Sequence, residues 1–194
     1  MPLSLSDRPA LVLIDIQQGF NDIAYWGGER NNPHAEERAG ELLATWRKHK
    51  LPVFHIQHCS ANPVSPLHES HSGNAFKPQV QPLAGEPVLK KNVNSSFIGT
   101  SLQQQLDSAN ITTLVIAGLT TDHCVSTTTR MAGNLGYNTY LVEDATATFN
   151  KTGVNGQYFP AALIHETALA SLHNEFATVV TTAYIIQNIE AGLQ

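Results

Sequence analysis

The sequence predicts a three-layer α/β fold, a mainly parallel six-stranded sheet with helices on both faces. Three observations predict it. Apolar runs of strand length recur along the 194 residues. Segments with helical patterning lie between them. The runs are almost continuously apolar, as strands covered on both faces are. The length favours one domain, residues 1–194, with a single large core.

The elements follow in order. ALVLIDIQ, residues 10–17, reads as a buried strand. Residues 33–50 read as an amphipathic helix with Leu42, Leu43 and Trp46 on one side. PVFHIQH, residues 52–58, is the second strand, and EPVLKK, residues 86–91, a short third. Residues 101–110 form a helix ending in turn residues, and TTLVIAGL, residues 112–119, the fourth strand. DHCVSTTTRMAGNLG is a helix stopped by Gly136. Residues 138–146 form the fifth strand and residues 160–176 a helix, and ATVVTTAYII contains the sixth strand. Residues 60–85 are rich in Pro, Gly, Ser, Asn and His without periodicity, a long connection of the kind that serves a site or a partner subunit.

Composition excludes several classes. A net charge of −5, with no run of Lys or Arg, argues against a nucleic-acid surface. The longest apolar run is too short to cross a bilayer, and the first residues lack the pattern of an export signal. Two distant cysteines make no disulfide scaffold, so a reducing cytoplasm is the expected location.

In parallel α/β sheets the useful residues lie at the carboxyl ends of strands. Asp15 ends the first strand, as a chain-turning carboxylate or a functional one; Gln17 stands where a second carboxylate would help hold Mg²⁺. Lys90 and Lys91 end the third, as solvated lysines or as a cation for a site. Cys124 follows the fourth in the first turn of a helix, with Thr121 or Asp122 as the expected N-cap. A free cysteine is often only a buried apolar group. At a helix N-terminus, however, the dipole is expected to favour thiolate, and the free N–H groups there can hold an oxyanion. His123 is the tempting base, but adjacent helical residues point about 100° apart, so packing or lining a pocket suits it better. A carboxylate and a lysine from neighbouring strands can activate the thiol without histidine.

Three segments carry a resemblance. LVLIDIQQGF, KNVNSSF and GLTTDHCV occur in the order and at separations similar to those of the isochorismatase-like cysteine hydrolases, which include nicotinamidases, N-carbamoylsarcosine amidases and isochorismatases. The resemblance covers nearly the whole chain. It implies the Rossmann-like fold of that family and a catalytic triad of Asp15, Lys91 and Cys124, the Ser95-Ser96-Phe97 group selecting Lys91 over Lys90. It also implies a cis peptide at Leu119–Thr120, with the Thr120 and Cys124 N–H groups as oxyanion donors. The implied reaction is C–N bond hydrolysis of a small amide or carbamoyl compound through a Cys thioester. Phe20 and Trp26 could wall the pocket or simply pack under their loop, and His123 lines it. The implied assembly is a homodimer or larger homo-oligomer, with no nucleic-acid or membrane partner.

Nicotinamidases of the family bind a metal through an Asp-x-His set. HIQHCS has no Asp at the matching place, and His55, His58, His68 and His71 lack tight ligand spacing, so no metal or other cofactor is expected. Three alternatives stand beside amide hydrolysis. One is vinyl-ether hydrolysis of the isochorismatase type, which does not use the cysteine. Another is thiol redox chemistry between Cys124 and Cys59, although no C-x-x-C occurs. The last is nucleotide binding, for which DIQQGF lacks the glycine-rich fingerprint.

Overall fold

A computed structural model describes residues 3–191. The sheet strands are β1 (Ala10–Ile14), β2 (Val53–His58), β3 (Val88–Lys91), β4 (Thr113–Leu119) and β5 (Asn138–Ala147). β6 (Lys151–Thr152) and β7 (Tyr158–Phe159) form a separate antiparallel ribbon, and β8 (Thr178–Val180) completes the main sheet. Its order is β3-β2-β1-β4-β5-β8, and every neighbouring pair is parallel. The order reverses between β1 and β4, which creates a crevice at their carboxyl ends.

The helices are α1 (Ile23–Trp26), α2 (Ala35–Lys48), α3 (Leu102–Ser108), α4 (Ser126–Asn134), α5 (Ala161–Leu172) and α6 (Thr182–Ala191). Strand alternation splits the apolar interior in two. Ala10, Val12 and Ile14 of β1 and Leu114 and Ile116 of β4 pack with Leu102 and Leu106 of α3, Ala132 of α4 and Leu169 of α5. Leu11 and Leu13 of β1 and Val115 of β4 face Leu42, Leu43 and Trp46 of α2 and Ile185 and Ile189 of α6. The predicted apolar face of α2 is therefore the one that is buried, and Trp46 Nε1 donates to Pro9 O at 2.9 Å. No helix among the described residues is long and apolar enough to cross a membrane.

Several elements differ from expectation. β1 stops at Ile14, because Asp15 turns the chain. The segment expected to be helical from Asp122 begins as a π-helical turn, Thr121–Val125. α5 ends at Leu172, four residues early. The sixth strand is only three residues long, and α6 follows it directly. The start of α6 is capped from outside its own segment: Asp144 Oδ1 accepts from both Thr182 N and Thr182 Oγ1, each at 2.8 Å. Residues 60–85 fold back against their own chain. Buried Asn74 donates to His58 O at 2.9 Å and Leu67 O at 2.8 Å.

β1 and β4 approach closely just below the crevice. Gly118, at φ 137°, lies so near Ile14 that a Cβ would fall onto Ile14 O and within 2.7 Å of Ile14 N. Both the backbone angle and the contact exclude a side chain. Gly118→Ala is expected to destabilise the fold by roughly 4 kcal/mol or more, or to prevent folding. Urea unfolding of the variant measures this, and a midpoint matching wild type would refute the close-packing account.

Candidate active site

The carboxyl end of the sheet gathers the residues with chemistry. Asp15 directly follows β1 at φ 53°, a left-handed conformation that costs a non-glycine residue on the order of 1 kcal/mol and is best tolerated by Asn and Asp. Its N–H donates to Ile56 O of β2 at 3.0 Å. Lys91 ends β3. Alternating burial along that strand turns Lys91 inward and Lys90 outward, where Lys90 Nζ meets Glu69 at 2.6 Å. Cys124 lies in the π turn after β4, where Val125 N reaches back to Thr120 O at 3.3 Å.

The three side chains converge. Lys91 Nζ lies 2.6 Å from Asp15 Oδ2, and the two side chains are 0% and 1% exposed. The same ammonium lies 3.3 Å from Cys124 Sγ and 3.2 Å from His58 Nδ1. Asp15 Oδ1 is buried without a hydrogen-bond partner among the described residues. The thiol also points to Asn94 Oδ1 at 3.8 Å.

KNVNSSF anchors this arrangement. Ser96 N donates to Thr128 Oγ1 at 3.0 Å, and the two hydroxyls are 3.0 Å apart. Thr128 belongs to α4, one turn beyond Cys124, so the segment carrying Lys91 is tied to the helix carrying the thiol. Phe97 stacks on Tyr137, with centroids 5.8 Å apart.

The expected lowering of the thiol pKa is corrected. Burial is the largest influence and Asp15 the next, and together they push the Cys124 thiol far above its usual range; Lys91 opposes them without prevailing. This upward shift favours the protonated thiol. The expected N-cap is corrected as well. Thr120 occupies the cap position, and no side chain makes the capping bond. Thr121 Oγ1 instead pairs with His165 Nδ1 at 2.9 Å. Asp122 Oδ1 accepts from Thr148 Oγ1, and Asp122 Oδ2 lies 3.4 Å from both His123 Nε2 and Lys151 Nζ.

The remaining predicted residues take distinct positions. The Leu119–Thr120 peptide is cis, and Thr120 Oγ1 is buried without a hydrogen-bond partner among the described residues. The His123 side chain is 56% exposed, and its polar neighbour is Asp122. Phe20 is buried, with its ring centroid 4.7 Å from that of Trp26 and 6.1 Å from that of Phe149. Half-buried Trp26 donates from Nε1 to Gly19 O at 2.9 Å. Leu119 packs in the same cluster, which links it to the turn of Cys124.

The four candidate metal histidines do not assemble. His55 Nε2 pairs with Glu86 at 2.8 Å, His68 Nδ1 with Ser70 at 2.8 Å and His71 Nε2 with Pro63 O at 2.7 Å. Asp15, His58 and Cys124 do offer donor atoms within 4.8 Å of one another. The Lys91 ammonium already lies among them and would repel a cation, so the donor set does not fit a metal ion. Cys59 is half-buried, with Asn74 Nδ2 3.8 Å from its sulfur, and burial raises its thiol pKa.

Sequence reasoning missed two members of this cluster. His58 was considered only as a zinc ligand, although it ends β2 as Asp15 and Lys91 follow or end their own strands. Asn94 carried no signal, since it sits in an irregular stretch after β3.

Comparison with known proteins finds relatives over nearly the whole chain. A family model for the isochorismatase domain matches residues 9–184. The isochorismatase family protein YrdC of Bacillus subtilis is 48% identical over 184 residues, covering 95% of this chain and 97% of its own. The crystal structure of a hydrolase of the isochorismatase family from Chromobacterium violaceum matches with a TM-score of 0.93 at 42% identity, covering 98% of each chain. Nicotinamidase 3 of Arabidopsis thaliana is 27% identical over 187 residues, covering 88% of this chain and 83% of its own.

The raised thiol pKa has a direct readout. The ultraviolet difference between wild type and Cys124→Ala is expected to show no thiolate absorbance at about pH 8, near the usual cysteine pKa. Because the shift is upward, the band should appear only at more alkaline pH. A full thiolate band at about pH 8 would mean that Lys91 outweighs burial.

Proposed function

We propose that this chain, which belongs to the isochorismatase family of hydrolases, is a cysteine hydrolase that cleaves the C–N bond of a small amide or carbamoyl compound through an Asp15–Lys91–Cys124 triad. The observation that carries the reading is the buried convergence of Lys91 Nζ on Asp15 Oδ2 and Cys124 Sγ, beside an unpartnered Asp15 Oδ1. A thiol that rests protonated needs a base at the moment of attack, and Asp15 carries a spare acceptor for that proton.

The reaction runs in two halves. Asp15 takes the thiol proton as Cys124 Sγ attacks the carbonyl carbon. The N–H groups of Thr120 and Cys124 hold the oxyanion of the tetrahedral intermediate. The C–N bond then breaks as Asp15 returns the proton to the leaving amine, and the acyl group remains on sulfur as a thioester. Asp15 next takes a proton from water, whose oxygen attacks the thioester carbonyl, and the departing thiolate recovers that proton. Lys91 keeps its charge throughout and offsets negative charge on the carboxylate and the sulfur. Trp26, backed by Phe20, and the exposed His123 form the substrate wall. The similarity to a nicotinamidase supports an amide as the scissile group. The reading extends to a homodimer or larger homo-oligomer in the cytoplasm, which sedimentation and cell fractionation would check.

A panel of small amides and carbamoyl compounds, screened with mass detection, is expected to yield a substrate and an acyl adduct on Cys124. Cys124→Ala and Asp15→Asn should each lower kcat by about 1000-fold or more. Full turnover by Cys124→Ala on the true substrate would overturn the nucleophile and favour vinyl-ether hydrolysis. Trapping of a Cys59–Cys124 disulfide in oxidised protein would favour redox chemistry.

A further inference from the structure

We infer that His58 is a positioning residue for Lys91: its imidazole Nδ1 accepts the third ammonium proton and thereby leaves Asp15 Oδ1 free to act as the base. The inference rests on the proposed triad and adds a fourth member to it.

An ammonium has three N–H donors and no acceptor. The Lys91 side chain is fully buried. Its three polar neighbours are Asp15 Oδ2 at 2.6 Å, His58 Nδ1 at 3.2 Å and Cys124 Sγ at 3.3 Å. The count closes: three donors meet three acceptors, and Asp15 Oδ1 is left over. Without the His58 acceptor, one buried N–H would be orphaned, which is costly for a charged donor. The second oxygen of the carboxylate already bound is the acceptor at hand. Capture of Oδ1 by Lys91 would remove the lone pair meant for the thiol proton.

Register and clamping support the assignment independently. His58 is the Cα partner of Lys91 in the β2–β3 pairing, and β2 lies between β3 and β1. The Lys91 stem therefore has to cross β2 to reach Asp15. The His58 backbone is held on both sides: its N–H donates to Gln17 Oε1 at 2.8 Å, and its carbonyl accepts from Gln17 Nε2 at 3.0 Å and Asn74 Nδ2 at 2.9 Å. Gln17 is fully buried. Burial holds the imidazole below its ordinary pKa, and Lys91 adds to this against the opposing pull of Asp15. The ring is thus neutral near pH 7, and an accepting Nδ1 puts its single proton on Nε2.

Two measurements test this. ¹⁵N NMR of the histidine rings, with His58 assigned by its loss in His58→Asn, is expected to show the neutral Nε2–H tautomer at about pH 7. An Nδ1–H tautomer or an imidazolium there would overturn the inference. The second measurement compares variants. His58→Leu should lower kcat and the iodoacetamide alkylation rate of Cys124 by about 100-fold, with KM unchanged. His58→Asn, which restores an acceptor, should recover most of both rates. The inference fails if His58→Leu retains wild-type rates, or if a folded His58→Asn falls as far as His58→Leu. Should His58→Leu not fold, the tautomer and His58→Asn decide. Asp15→Asn separates this failure from that of the triad. Wild-type turnover by Asp15→Asn would refute the base itself, whereas lost turnover there with wild-type rates in His58→Leu refutes only the positioning role.

Discussion

The buried ion pair between Lys91 and Asp15 is the constraint to which the rest of the site conforms. Removing two charges from water costs several kcal/mol per ion, and mutual attraction offsets this only with close geometry and further hydrogen bonds. The 2.6 Å contact meets the first requirement. His58 and Cys124 meet the second on the lysine side. On the aspartate side it remains unmet at Oδ1. A buried acceptor without a donor is costly in a structural ion pair. In the triad proposed above it would be the vacancy that a proton fills. The surrounding backbone holds that vacancy open: Asp15 is kept in a left-handed conformation, Gly118 lets β4 close on β1, and Ser96 ties the lysine segment to Thr128.

Two physical effects compete for the sulfur, and their magnitudes decide between them. A helix N-terminus stabilises a negative charge by about 0.3–1 kcal/mol, or about 2 in favourable buried geometry. Each pKa unit is worth about 1.4 kcal/mol, and full burial can shift a group by several units. Burial and the Asp15 charge both oppose thiolate at Cys124, and they win over Lys91. A nucleophile stored as thiol resists indiscriminate alkylation and oxidation. In the proposed mechanism it becomes reactive when a bound electrophile draws the proton toward Asp15, which would couple nucleophile activation to substrate position.

The parts of this design that depend on local pattern were legible in the sequence. Continuous apolar runs marked the strands, and the strand-end rule pointed to Asp15, the Lys90–Lys91 pair and Cys124 before any side-chain position was known. Burial alternation along β3 agrees with the choice of Lys91 over Lys90, which the KNVNSSF resemblance had made. What stayed hidden depends on distant partners. The start of α6 is capped by Asp144, 38 residues away. Gln17 looked like a missing metal ligand, but its amide clamps the backbone of His58, 41 residues on. The thiol pKa was misjudged because the local pattern reveals the helix end and not the burial around it.

The sheet topology shows why a lysine suits this position. The order β3-β2-β1-β4 separates the strand of Lys91 from that of Asp15 by one intervening strand. Neighbouring strands lie about 4.8 Å apart, so the cation must span close to two spacings. A four-carbon stem ending in a compact ammonium can do so, and its three donors can meet three acceptors in different directions. A planar guanidinium would present five donors to the same small space and would bind both oxygens of Asp15 in its preferred fork. That would close the vacancy on which the proposed proton transfer depends. The residue at the end of the intervening strand is the one the lysine has to pass. An imidazole there, neutral and accepting, fits the crossing without adding a second positive charge.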